Sequence, residues 1–202
     1  MKKFILYLAA LLLPLGLQAQ DYKKLEHNIE AGGGIFLPGG KEGQTGLAIS
    51  LGYGLDIRTS QAFSIMPMVG YHCTSETLVR KQLCGADYDN FEFLDISVSA
   101  RWHTGDGKTP ITLGLAPVLS WTLQNDTYYI DGDPTDPFNG KKRLKPFTFG
   151  LMPSITFDVR RHFSLGFKAN IGLMDATRHY DFAQQQAARH IITTELILRA
   201  RF

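Results

Sequence analysis

Residues 47–58 read Leu47-Ala48-Ile49-Ser50-Leu51-Gly52-Tyr53-Gly54-Leu55-Asp56-Ile57-Arg58. Every odd position is large and apolar. Every even position is small or charged. Successive side chains on a strand point to opposite faces, so this spacing separates the two sets cleanly, whereas a helix would scatter both around its circumference. The stretch is therefore a strand with one greasy face and one small, polar face.

The same pattern recurs along the chain. Ile111, Leu113, Leu115, Pro117, Leu119, Trp121 and Leu123 alternate with Thr112, Gly114, Ala116, Val118, Ser120, Thr122 and Gln124. Comparable alternation runs through 147–160, 163–174 and 192–202, and in weaker form through 27–37, 63–73 and 91–103. The total is eight strands, each close to or above the roughly 9–11 residues that cross a membrane at a tilt. The links alternate in length. Those at 59–62, 104–110 and 160–162 are short, and those at 38–46, 74–90, 125–146 and 175–190 are longer. A meandering barrel with short turns on one side of a membrane and long loops on the other has this rhythm. The fold expected is all-β: an eight-stranded antiparallel up-and-down transmembrane β-barrel. Pro67, Pro117 and Pro153 lie within proposed strands and remove ladder donors, so bulges or kinks are expected there.

Residues 1–19 read as a signal peptide, with Lys2 and Lys3, an apolar run from Phe4 to Leu17 and a small-residue cut after Ala19. Residues 20–202 are then one barrel domain. The 21 Lys and Arg less Lys2 and Lys3 leave 19, against 19 Asp and Glu. The remaining chain is formally neutral and offers no general basic field to nucleic acid. The expected destination is the bacterial outer membrane.

Alternation alone leaves open which face meets lipid, because a soluble lipocalin-like ligand-binding barrel has the same period. Size decides for lipid outside. Eight strands leave an interior just wide enough for side chains to fill, and a ring of Phe and Leu from every strand would overfill it. Trp121 and Tyr71 at one end, and Trp102, Phe63, Phe163 and Phe202 at the other, fit two aromatic girdles. The interior face then carries the acids Glu30, Asp56, Asp95, Asp158 and Glu195 and the bases Arg58, Arg101, Arg160, Lys168, Arg199 and Arg201. Their near balance predicts ion pairs, Lys168 with Glu195 and Glu30 with Arg199 or Arg201, and a plugged lumen. Terminal Phe202, closing an alternating strand, reads as the signal taken by the outer-membrane assembly machinery.

The segment Phe93-Leu94-Asp95-Ile96-Ser97-Val98-Ser99-Ala100-Arg101-Trp102, a Gly-rich turn, and Ile111-Thr112-Leu113-Gly114-Leu115-Ala116-Pro117-Val118-Leu119-Ser120 resembles the central hairpin of the PorT-like small outer-membrane β-barrel proteins. These are similar in architecture to OmpA/OmpX-type barrels. The family usually carries a proline in the strand before the turn, where this chain has Ser97 and Val98. The resemblance implies architecture and no shared chemistry.

Other chemistry is sparse. Cys73 and Cys84 are the only cysteines and form a disulfide candidate beside the 74–90 link. Asp131, Asp133 and Asp136 cluster in an Asp/Gly/Pro turn without the full calcium-loop pattern. Lys141, Lys142, Arg143 and Lys145 follow at the base of the same link, which is expected either to meet lipopolysaccharide phosphates or to be a solvated basic loop. His162 and Ser164, with Glu30 or Glu195, are what a lipid A deacylase-like barrel would need, but they fall at the periplasmic end, away from that substrate. No metal cluster, phosphate loop or nucleophile elbow is present in the sequence, and no cofactor is expected. The function expected is a non-enzymatic outer-membrane barrel displaying outer loops for contact, adhesion or envelope organisation. Its expected partners are outer-membrane lipid, lipopolysaccharide and an unknown loop ligand. The alternatives are a lipid-modifying enzyme and the soluble lipocalin-like barrel.

Overall fold

A computed structural model describes residues 25–39, 46–75, 90–104, 110–124, 144–176 and 190–202. Eight strands form: β1 (Leu25–Gly39), β2 (Gly46–Arg58), β3 (Phe63–Ser75), β4 (Asn90–His103), β5 (Ile111–Gln124), β6 (Phe147–Arg160), β7 (Phe163–Gly172) and β8 (His190–Arg201). Each pairs antiparallel with its neighbours in sequence, and β1 pairs with β8 to close the barrel. Closure leaves no sheet edge, so the ladder can satisfy the backbone around the whole circumference. The strand count, order and faces match the alternation in the sequence. β1 extends beyond 27–37, which shortens the first of the long links to residues 40–45.

The faces follow the period of two. Ile49, Leu51 and Tyr53 point outward on β2, while Ala48, Gly52, Gly54 and Asp56 are buried inside. The same period runs along the other strands, less cleanly in the second half of β6. The outer wall is a continuous apolar belt in which Ile49 is 62 % exposed, Phe167 55 % and Leu196 54 %. A water-soluble monomer rarely exposes contiguous apolar patches beyond a few hundred Å². Here the charged and most polar side chains of the strands face inside, together with a few large apolar ones, and the outer face is apolar.

The prolines act differently from the bulges expected. Pairing is interrupted, without any change of register, between Gly54–Met68 and Ile57–Ile65, between Ser97–Val118 and Ala100–Leu115, and between Leu151–Ile171 and Ser154–Lys168. Pro67, Pro117 and Pro153 lie in these gaps. On its other side each proline pairs in register. Proline supplies no N–H, so one strand boundary loses a bond while the backbone keeps its course. The true irregularities are elsewhere, at Glu92/Phe93 and at Asp158/Arg160.

Candidate functional site: the filled barrel interior

The interior is layered from the long-link end to the short-turn end. At the long-link end, Phe36, Phe91, Phe93, Leu144 and Ile191 are buried together with Ala48 and Ala176. They come from the ends of β1, β2, β4 and β8 and from the segments flanking β6 and β7. This apolar cap corrects the expectation that small residues and ion pairs alone fill the lumen. Phe36 and Phe93 fall on the even or odd positions that their strands turn inward. The alternation therefore marked them, but their size concealed the placement.

Beneath the cap, His72 stacks on Phe93 with ring centroids 4.5 Å apart, and its Nδ1 lies 2.7 Å from Asp95 Oδ2. Nearby lie two small cavities. One, of about 20 Å³, is bordered by Asp95, Ser97 and Lys168. The other, of about 10 Å³, is bordered by His72, Ser120 and Asn170. Each is about the size of a single water molecule.

The middle layer is an ion-pair network. Lys168 on β7 donates to Glu30 Oε1 on β1 at 3.0 Å and to Ser50 Oγ on β2 at 3.0 Å, and lies 3.3 Å from Glu195 Oε2 on β8. Arg199 on β8 donates to Glu30 Oε2 from Nη2 at 2.5 Å and from Nε at 3.1 Å. Ser50 Oγ donates in turn to Glu195. The register explains the two near pairs, since Lys168 sits opposite Glu195 and Glu30 opposite Arg199. All four charged side chains are buried. An isolated buried charge would cost several kcal/mol, which mutual pairing and the Ser50 hydroxyl offset.

The structure corrects one of the expected partners. Arg201 does not reach Glu30. It lies opposite Asn28, at the short-turn end, and its Nη2 is 3.0 Å from Asp158 Oδ1. Arg160, expected inside, is exposed, because the irregularity at Asp158/Arg160 breaks the alternation just before the turn. Asp56 pairs with Arg101, whose Nη1 also lies 3.5 Å from Met66 Sδ. Those partners stand on β2 and β4, across the intervening β3, so strand adjacency gave no hint of the contact.

At the short-turn end, His103 links Ser64 Oγ, 2.8 Å from Nε2, to Thr112 Oγ1, 3.0 Å from Nδ1. His162 and Ser164 are not brought together. Ser164 donates to Asp158 Oδ1 at 2.8 Å, whereas His162 Nδ1 lies 3.1 Å from the Arg201 carbonyl. Cys73 carries a free, half-buried thiol on the outward face of β3. Cys84 lies outside the described residues, and the expected disulfide is not among the described contacts. Asp131, Asp133, Asp136, Lys141, Lys142 and Arg143 also lie outside them. Lys145 is described, and it donates to the Asp175 carbonyl at 2.8 Å. Phe202 closes the β1–β8 seam by exchanging backbone bonds with His27 of 3.0 and 3.3 Å.

No family model matches this chain. No curated protein matches its sequence. Solved structures do share its fold. Neisserial surface protein A is similar with a TM-score of 0.53 and 13 % identity, over 91 % of this chain and 100 % of that one. Ail, the attachment invasion locus protein of Yersinia pestis, is similar with a TM-score of 0.50 and 9 % identity, over 89 % of this chain and 100 % of its own. At these identities the likeness is one of fold, an eight-stranded closed antiparallel β-barrel.

Proposed function

We propose that this protein is a non-conducting outer-membrane barrel whose work is done by the four links at its long-link end, displayed outside the cell for contact, adhesion or envelope organisation. The observation that carries the reading is the inversion of polarity across the wall. Lys168, Glu30, Glu195 and Arg199 are buried inside, while the outer wall is a belt of exposed Ile, Leu, Val and aromatic side chains. Such a wall is stable against hydrocarbon and unstable against water.

The apolar cap and the ion-pair network fill the lumen in successive layers, which supports a structural rather than a transport role for the barrel. The long links support display, as do the two structural neighbours, named as a surface protein and an attachment invasion locus protein. The PorT-like resemblance agrees with the same architecture. Lipopolysaccharide and outer-membrane lipid are the expected surroundings, and the assembly machinery that reads Phe202 is the expected route of entry.

Cell fractionation with gel migration before and after boiling tests this reading. We expect recovery with the outer membrane and a change of mobility on boiling. Recovery as a soluble periplasmic protein would overturn it in favour of a lipocalin-like barrel.

A further inference from the structure

The three proline gaps share one chemistry. By register Pro67 stands opposite Leu55, Pro117 opposite Val98 and Pro153 opposite Ala169. At each, the ring nitrogen has no hydrogen to give to the facing carbonyl. Losing that single bond also accounts for the second missing pair in each gap.

One of the three opens into a groove. Between β6 and β7 the two outward residues within the gap, Pro153 and Ala169, are small. Ala169 faces Pro153 on one side and is paired with Thr194 of β8 on the other. The result is an open-sided groove of about 290 Å³ lined chiefly by Pro153, Ala169, Ile155, Phe167 and Thr194. Its lining is almost wholly apolar. At the Pro117 gap the facing residue is the larger Val98, and at the Pro67 gap it is Leu55.

We propose that this groove is a specific site for one acyl chain of a membrane lipid. The inference rests on the membrane reading above. Phe167, 55 % exposed, and its neighbour Leu196, 54 % exposed, place the groove within the apolar belt. What enters it there is hydrocarbon. A concave wall leaves lining atoms without dispersion partners unless something flexible fills it, and a methylene chain fits an irregular slot better than the convex wall of another barrel does.

The test uses full-length protein reconstituted in vesicles of phosphatidylethanolamine and phosphatidylglycerol, then transferred to mild detergent for native mass spectrometry. The wild type is expected to retain one phospholipid. Ala169→Leu, which fills the groove, is expected to lose it. Ala100→Leu, outward-facing on β4, is expected to keep it. Thr194→Leu serves as a second groove-filling variant if Ala169→Leu fails to show the folded, heat-modifiable band. Equal retention by the groove variants and Ala100→Leu would overturn the site. So would a wild-type dimer that Ala169→Leu dissociates, which would make a second copy the occupant. A protein that stays soluble without detergent would instead fail the membrane reading itself.

Discussion

The ammonium of Lys168 on β7 meets the carboxylate of Glu30 on β1 at 3.0 Å, although β8 stands between their strands. The contact spans β8 on the lumen side and ties the two sides of the β1–β8 seam together. Removing the lysine alone strands Glu195, whose ion-pair partner it is. Lys168→Met should therefore destabilise the folded barrel by about 3–5 kcal/mol. Adding Glu195→Gln should recover part of that loss. Urea unfolding in vesicles measures both, and additive costs for the two changes would refute the coupling.

The seam offers a sharper steric contrast. A Cβ on Gly34 would fall 2.7 Å from Glu195 Cα, whereas one on Gly33 would meet nothing within 4 Å. Gly34→Ala should cost about 1–3 kcal/mol by overpacking, and Gly33→Ala should be close to neutral. The same unfolding measurement checks the pair. Equal effects would mean that β1 and β8 lie farther apart than described.

Purified wild-type protein in planar bilayers should give no stable, large single-channel steps. Among the described residues, the cap around Phe36, Phe91 and Phe93 is buried at one end, and the Lys168 network spans the middle. Phe93→Ala should remain silent, because the network below stays in place. Large steps from the wild type would reject the filled interior.

Deleting Phe202 should lower the amount of assembled protein far more than changing Phe138 in a long link. Phe202 exchanges two backbone bonds with His27 at the seam and is 59 % exposed. Heat-modifiable protein in the membrane fraction is the readout. Equal levels in the two variants would remove Phe202 from the assembly signal.

Alternation by itself determined the strand count, the faces and the closed antiparallel order, because a period of two is a local property of each strand and short turns force neighbours to pair. It also pointed to pairs between adjacent strands, Lys168 with Glu195 and Glu30 with either Arg199 or Arg201, because neighbouring inward positions face one another; the structure chose Arg199 for Glu30. Only the tertiary structure decided what happens across the lumen. Asp56 finds Arg101 two strands away, Lys168 reaches past β8 to Glu30, and His72 lies against Phe93 and Asp95 beneath the cap. Side-chain reach, barrel curvature and the relative heights of the strands set those contacts, and none of these is written in a single strand. Arg160 shows the limit from the other direction. An irregularity one residue long, at a turn, is enough to carry a side chain from the face its sequence position implied to the face it occupies.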